Sequence, residues 1–184
     1  MARMKREEWY NIARDVDWTT LPSRRERGEM NMSVTSIPSA VEVVTAFFDA
    51  YRAHDVERMV ELCTDNADFH YVPFEVWGKQ RVIRGHGKVR TIGKVIWRTL
   101  IDSFPDLTNE VTSLTSDDEG NVALEVVISG TQAKPFGSIG HQGLHYDLPH
   151  VFLFRVGKQG LIEEITAYWD TADWQRQLGR LEVD

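Results

Sequence analysis

The chain has 184 residues, with 21 Lys and Arg against 28 Asp and Glu, which gives a formal net charge of −7. This length suits one domain, or one domain with an extension, and 42% hydrophobic with 27% charged residues is an ordinary globular composition. The negative charge argues against a protein that binds nucleic acid or an anionic membrane surface by neutralising phosphates.

The cysteine count and the first residues of the chain favour a cytoplasmic protein. The single cysteine, Cys63, cannot form a disulfide within the chain. No apolar run approaches the roughly 20 residues that span a bilayer. The first residues carry no apolar run typical of a secretory signal. We therefore predict a cytoplasmic protein that acts on a small molecule or on another protein.

Residues 1–37 differ in composition from the rest and are predicted to be an extension that ends in a linker. They combine mixed charges with a stretch rich in Ser, Thr and Met before Pro38. Trp9 and Trp18 make the first part too aromatic for a plain disordered tail. Its apolar spacing is compatible with one short helix, which packs on its own domain or a dimer mate, or docks on another protein. Residues 38–184 are predicted to form the domain.

Two helices and a strand are predicted at the start of this domain. Ser39 with Glu42 three residues later is a capping box, which opens a helix that ends near His54. Asp55 is the predicted N-cap of a second, short helix. The run ADFHYVPF then has the alternation of a strand, and a loop is predicted at residues 85–87.

The rest of the chain is predicted to contain one more long helix followed mainly by strands. The helix covers KVRTIGKVIWRTLIDSF, with Val89, Ile92, Ile96 and Leu100 on its apolar side. The strands are VTSLTSD, NVALEVVISGTQ, LHYDLPHVFLFRV and GLIEEITAYWD, and TADWQRQLG closes the chain as a short helix. Helices that come first and strands that come last predict an α+β fold, with helices on one face of an antiparallel sheet.

Two stretches resemble the SnoaL-like polyketide cyclases and the ketosteroid isomerases of the nuclear-transport-factor-2-like superfamily. FRVGKQGLIEEITAYWDTADWQRQLG resembles the closing hairpin and ending of these proteins, and VVTAFFDAYRAHDVERMVELCTDNADFHY resembles their opening helix pair and first strand. The resemblance spans about residues 39–179. It implies a cone-shaped barrel, in which a curved antiparallel sheet wraps on three N-terminal helices. Members include isomerases, cyclases, dehydratases, epoxide hydrolases and proteins without catalysis, so it does not imply one activity.

The positions at which these relatives keep acid and base groups carry other residue types here. Phe47 stands where the ketosteroid isomerases have a tyrosine donor, and Tyr71 stands where they have an aspartate base. Phe152 replaces their second donor, which is a histidine in the polyketide cyclases, and Ala167 replaces the aspartate of cyclases and epoxide hydrolases. The tyrosine pair of scytalone-type dehydratases is matched by Tyr51 and Tyr71, without the adjoining helical aspartate. The resemblance therefore implies the fold and none of these activities.

Aromatic side chains are predicted to line the inside of the cone. By helix and strand register, the substrate-binding candidates are Phe47, Tyr51, Phe69, Phe152, Phe154 and Trp169. Such a lining suits a flat, apolar, ring-bearing ligand. The alternative is a filled hydrophobic core without a pocket.

His150 and Tyr71 are the predicted catalytic residues. A histidine titrates near neutrality, which suits a general base, and a phenol can donate to a developing oxyanion. The structural alternatives are a surface or hydrogen-bonded histidine and a tyrosine bonded to backbone or water. Glu125, His145 and Asp147 are further candidates. Glu125 either faces solvent or is buried with a raised pKa, and His145 and Asp147 share one strand face.

No metal or cofactor is predicted, because the six histidines lack the spacing of metal ligands and Gly85-His86-Gly87 lacks the context of a phosphate loop. The sequence favours a protein that binds an apolar ring-bearing molecule. If it is an enzyme, it performs cofactor-free proton transfer as an isomerase, cyclase or lyase. The alternative is a non-catalytic ligand-binding or accessory module. In either case we expect a homodimer paired through its sheet, without nucleic-acid or membrane partners.

Overall fold

The computed structural model describes residues 37–74, 85–137 and 139–180. They belong to the compact unit Ile37–Asp184. The predictions for the extension before residue 37 lie outside the described residues, and the proposed domain limits stay a prediction. No helix in the described ranges combines the length and the apolar composition that a membrane-spanning helix needs.

The described residues contain four α-helices, and local sequence signals start the first two. Helix α1 is Ala40–Arg52, α2 is Val56–Glu61, α3 is Lys94–Ser103 and α4 is Thr171–Gln177. The capping box is confirmed: the Ser39 backbone N–H donates to Glu42 Oε2 at 2.7 Å, and the Glu42 N–H donates to Ser39 Oγ at 3.3 Å. Asp55 caps α2 as predicted by accepting from the Arg58 N–H at 2.9 Å.

The third predicted helix differs from its expected register. It opens with a π-helical turn, Val89–Gly93, before α3 begins. Ile92 was expected on the buried side but is 39% exposed, whereas Trp97 is 2% exposed and belongs to the core. A π-helical turn holds more residues than an α-helical turn, so it changes which residues of the helix point towards the core.

Six strands of the described residues form one curved, mixed sheet. They are β1 (Cys63–Phe74), β2 (Gly85–Lys88), β3 (Thr108–Ser116), β4 (Asn121–Thr131), β5 (His145–Val156) and β6 (Ile162–Asp170). Their order across the sheet is β2-β1-β6-β5-β4-β3.

The α+β class is confirmed, with two corrections to the predicted sheet. Strand β1 pairs parallel with β6, whereas all other neighbours are antiparallel. A parallel pair needs a long connection, and nearly the whole domain lies between these two strands. The sheet is also not a closed barrel, since β2 and β3 are its edges.

The loop predicted at residues 85–87 is instead strand β2. It pairs antiparallel with β1, with His70 opposite His86. A Cβ atom built on Gly85 would lie 1.9 Å from Cζ of Tyr71, so the Tyr71 ring occupies the space above this glycine. Glycines usually indicate turns, but here the close approach of a neighbouring ring explains one of them.

Helix α1 packs its aromatic face on the inner face of β5. The ring centroids of Phe47 and Phe154 are 5.5 Å apart, and those of Phe48 and Phe152 are 5.3 Å apart, both in edge-on geometry. These contacts fill the space between α1 and the sheet, which leaves the remaining inner face of the sheet to border a cavity.

Candidate functional site

A cavity of about 90 Å³ lies on the inner face of the sheet. It is smaller than the roughly 300–1,000 Å³ of sites that enclose drug-sized ligands, so it matches a single small ring without side-chain movement. The lining combines residues from every layer of the domain: Tyr51, Phe69, Ile96, Trp97, Leu100, Ile128, Phe136, Tyr146, Leu148, His150, Phe152, Ala167, Trp169 and Trp174.

Strand β5 supplies more of this lining than any other strand. Tyr146, Leu148, His150 and Phe152 are alternate residues of β5 and all border the cavity. Alternate side chains of a strand point to the same face of the sheet. The intervening residues, such as Val151, are exposed on the opposite face. The strand alternation therefore brings His150 to the cavity.

His150 is held in one tautomer by its own strand. Its Nδ1 atom lies 2.8 Å from the Leu148 carbonyl oxygen, which can only accept a hydrogen bond. Nδ1 therefore carries the proton, and Nε2 keeps an unshared electron pair. Burial lowers the pKa of His150 to about 4, although the bond to Leu148 opposes this shift. The side chain is thus neutral at pH 7, between Phe152 and Trp169, whose ring centroids are 6.0 and 5.8 Å from its own.

Two buried tyrosines, Tyr51 and Tyr146, carry the hydroxyl groups of the described cavity lining. Burial raises the pKa of both Tyr51 and Tyr146, and a charge on Tyr51 would raise the pKa of Tyr146 further. Within the described residues neither hydroxyl takes part in a hydrogen bond. Both side chains are therefore neutral phenols, each with a proton to donate.

Trp174 of helix α4, one of three tryptophans in the described lining, carries a further donor. Its indole Nε1 is buried without a hydrogen-bond partner among the described residues. The ring packs edge-on against Phe136 and Tyr146, with centroid distances of 5.2 and 5.9 Å. A buried, unpaired N–H is destabilising, and such groups are frequently satisfied by a ligand or water.

The structure brings together five of the predicted site residues: Tyr51, Phe69, His150, Phe152 and Trp169 all border the cavity. Phe47 and Phe154 do not. They pack against each other, and Phe47 also packs against Trp97 at a centroid distance of 5.4 Å, so both fill the core instead.

The other predicted site residues lie away from the cavity. Tyr71 packs over Gly85 and against Phe69 and is not among the lining residues. Glu125 is exposed, so its side chain faces solvent and is not the buried carboxylate of the other alternative. His145 and Asp147 are also exposed, with His145 Nε2 3.7 Å from Asp147 Oδ2. They lie on the outer face because they alternate with Tyr146 and Leu148.

Sequence reasoning missed Tyr146 and Trp174. The alternation of the strand could have identified Tyr146, because Tyr146, His150 and Phe152 are an even number of residues apart and lie on the same face. No sequence signal identified Trp174, because its contact with the cavity depends on how helix α4 folds back on the sheet. No group of three or more His, Cys, Asp or Glu side chains in the described part of the chain could hold a metal ion.

Comparison with known proteins identifies the fold. Residues 44–165 match the family model of the SnoaL-like domain. No curated protein matches the chain.

Several solved structures share the fold. IdmH, a candidate polyketide cyclase from Streptomyces antibioticus, is 23% identical with a TM-score of 0.63, and the alignment covers 77% of this chain and 99% of IdmH. A candidate polyketide cyclase from Xanthomonas campestris pv. campestris is 22% identical, with a TM-score of 0.59 and coverage of 76% and 96%. SalBIII, an epoxide hydrolase/cyclase-like enzyme of pyran ring formation in the polyether salinomycin, is 20% identical, with a TM-score of 0.53 and coverage of 73% and 92%. At these identities the likeness shows the fold alone.

Proposed function

The chain belongs to the SnoaL-like domain family, and on this basis we propose that it binds an apolar, ring-bearing small molecule in the cavity beside His150. The observation that carries the proposal is the neutral His150, with Nε2 unprotonated, in a cavity lined otherwise by apolar and aromatic side chains. Ligand sites of this kind combine an apolar surface with a few polar atoms that orient the ligand.

The reaction class that suits this arrangement is cofactor-free proton transfer, as in an isomerase, cyclase or lyase. Nε2 of His150 takes a proton from a carbon next to a carbonyl, the electron pair of the C–H bond forms a C=C bond, and the π pair of the carbonyl moves to its oxygen. The proton then returns at another atom as the carbonyl or a new bond re-forms. A pKa of about 4 makes His150 a weak base. The substrate must therefore carry an acidified C–H group, and a hydroxyl that borders the cavity must stabilise the enolate oxygen.

Binding is tested with benzyl methyl ketone as a single-ring probe, by intrinsic tryptophan fluorescence. Ala167→Trp places a large ring in the cavity, and Leu153→Trp places the same ring on the exposed face of neighbouring strand β5. We expect the wild type and Leu153→Trp to bind and Ala167→Trp to lose binding. Ala167→Leu is the smaller substitution if the tryptophan destabilises the fold. Equal binding by all variants with native melting would show that this cavity is not the site.

Catalysis is tested by deuterium incorporation at the benzylic carbon of the same ketone in D₂O. We expect exchange above the buffer rate in the wild type and a loss of about 10²–10⁴-fold in His150→Gln. Binding without exchange would favour the alternative, a non-catalytic ligand-binding or accessory module. The observation that favours this alternative is the absence of any carboxylate among the described lining residues.

We also propose a homodimer that pairs through the outer face of the sheet. Support comes from Val151 and Leu153, which are 39% and 42% exposed on the side of β5 opposite the cavity. The N-terminal extension is proposed to dock on the dimer mate or on another protein, and neither nucleic acid nor membrane is a proposed partner. A cytoplasmic location is proposed from the free, buried thiol of Cys63.

A further inference from the structure

Most polar side-chain groups of the described cavity lining can donate a hydrogen bond, and the tyrosine hydroxyls can also accept one. Tyr51 and Tyr146 each offer an O–H, and Trp174 offers an N–H that can only donate. His150 Nε2 is the lining nitrogen that can accept. Among the described residues none of the three donors has a protein partner. Buried polar groups are normally paired, so this excess of unpaired donors calls for an acceptor from outside the protein.

The same lining disfavours charge of either sign. No Lys, Arg, Asp or Glu occurs among the described residues that border the cavity. Burial lowers the pKa of His150 and raises those of Tyr51 and Tyr146, and each shift favours the neutral form. A buried carboxylate would lose its hydration without gaining a cationic partner.

From these two properties we propose that the site selects a neutral ligand with a carbonyl-type acceptor oxygen, which the hydroxyls of Tyr51 and Tyr146 recognise, and that it rejects carboxylates. Trp174 Nε1 is a third donor for a ligand that carries a second oxygen. The inference rests on the proposed function, because it concerns the ligand of the same cavity.

The inference is tested with three probes of similar shape: benzyl methyl ketone, propylbenzene, which lacks the oxygen, and phenylacetate, which is an anion at pH 7. Binding to the full chain is measured by tryptophan fluorescence. The variants are Tyr51→Phe and Tyr146→Phe, which remove only a hydroxyl. The matched control is Tyr168→Phe on β6, whose residue is not part of the described lining.

We expect each of the two cavity variants to bind the ketone about 2- to 10-fold more weakly, the usual effect of one lost hydrogen bond. Propylbenzene binding should change less than about twofold by the same reasoning, since it has no acceptor. Tyr168→Phe should bind every probe like the wild type. Phenylacetate should bind the wild type at least about 10-fold more weakly than the ketone, because its charge is not compensated.

A spectroscopic readout separates recognition from a general change in the cavity. The infrared carbonyl stretch of the bound ketone should lie at lower wavenumber than in an apolar solvent, and should move back in the two variants. Unchanged ketone affinity and carbonyl frequency in both variants would overturn the inference, as would phenylacetate binding equal to that of the ketone. If one of these two results is obtained and propylbenzene binds the wild type, the inference is wrong but the proposed function stands. If neither propylbenzene nor the ketone binds the wild type, both the inference and the proposed function are wrong.

Discussion

The Nδ1 atom of His150 lies 2.8 Å from the carbonyl oxygen of Leu148, two residues earlier on the same strand. This contact assigns the imidazole proton to Nδ1 and leaves Nε2 as the acceptor. Both residues border the cavity. The backbone of β5 thus fixes the tautomer of His150, which the sequence alone could place only on the pocket side of the strand.

The partly buried His150 should make stability depend on pH. Its pKa is lowered from 6.5 to about 4, so the unfolded chain binds a proton at a higher pH than the folded chain does. Stability should therefore fall as the pH decreases from about 6.5 to about 4, by at most about 3 kcal/mol, and this component should level off at lower pH. In His150→Gln the free energy of unfolding, measured with urea across the same pH range, should lack this pH-dependent decrease. His141→Gln, on an exposed loop, is the control. A wild type and a His150→Gln variant with parallel pH profiles would contradict the lowered pKa.

Removing the unpaired tyrosine hydroxyls should not destabilise the fold. Tyr51→Phe and Tyr146→Phe each delete a hydroxyl without a described partner and keep the ring. The free energy of unfolding should therefore stay the same or rise by up to about 1 kcal/mol. Leu148→Ala, which deletes core volume at the same cavity, should lower it by about 2–5 kcal/mol. Chemical denaturation measures all three. A loss above about 1 kcal/mol in either tyrosine variant would indicate a structural hydrogen bond instead.

Gly120 should be intolerant of substitution for a reason of backbone geometry. Its φ is +91°, and a Cβ atom there would lie 2.3 Å from the Val156 carbonyl oxygen. We expect Gly120→Ala to lower the free energy of unfolding by at least about 2 kcal/mol, from the unfavourable φ and the clash with backbone. Gly140→Ala, which has open space around the new methyl group, should change it by less than about 1 kcal/mol. Similar melting of the two variants would refute this account.

The proposed homodimer predicts a mass of twice the chain by light scattering at micromolar concentration. Leu153→Glu places a charge on the exposed apolar side of β5 and should shift the protein to monomer, because a buried unpaired charge opposes association. Lys158→Glu, in the exposed turn before β6, changes charge as a control and should leave the mass unchanged. A monomeric wild type would rule out this pairing.

Residues 38–184 should fold without the preceding residues. The capping box at Ser39 and Glu42 starts helix α1 with contacts that need nothing before residue 39. Circular dichroism of this fragment should show cooperative melting close to that of the full chain. Loss of the cooperative transition would mean that Trp9 and Trp18 belong to the folded core.

Features that depend on residues close together in the chain could be predicted from the sequence. The start of α1 follows from Ser39 and Glu42, which are three residues apart. The alternation of β5 places His150 and Phe152 on one face for the same local reason. The two stretches that resemble SnoaL-like proteins indicated the family that the match over residues 44–165 confirms.

Features that depend on residues distant in the chain could be seen only in the folded structure. The parallel pairing of β1 with β6, the strand at Gly85 and the meeting of Tyr51, Tyr146 and Trp174 at one cavity all join separate parts of the sequence. Short-range patterns carry no information about which distant elements pack together. Desolvation depends on this packing, so the lowered pKa of His150 became visible only in the folded chain.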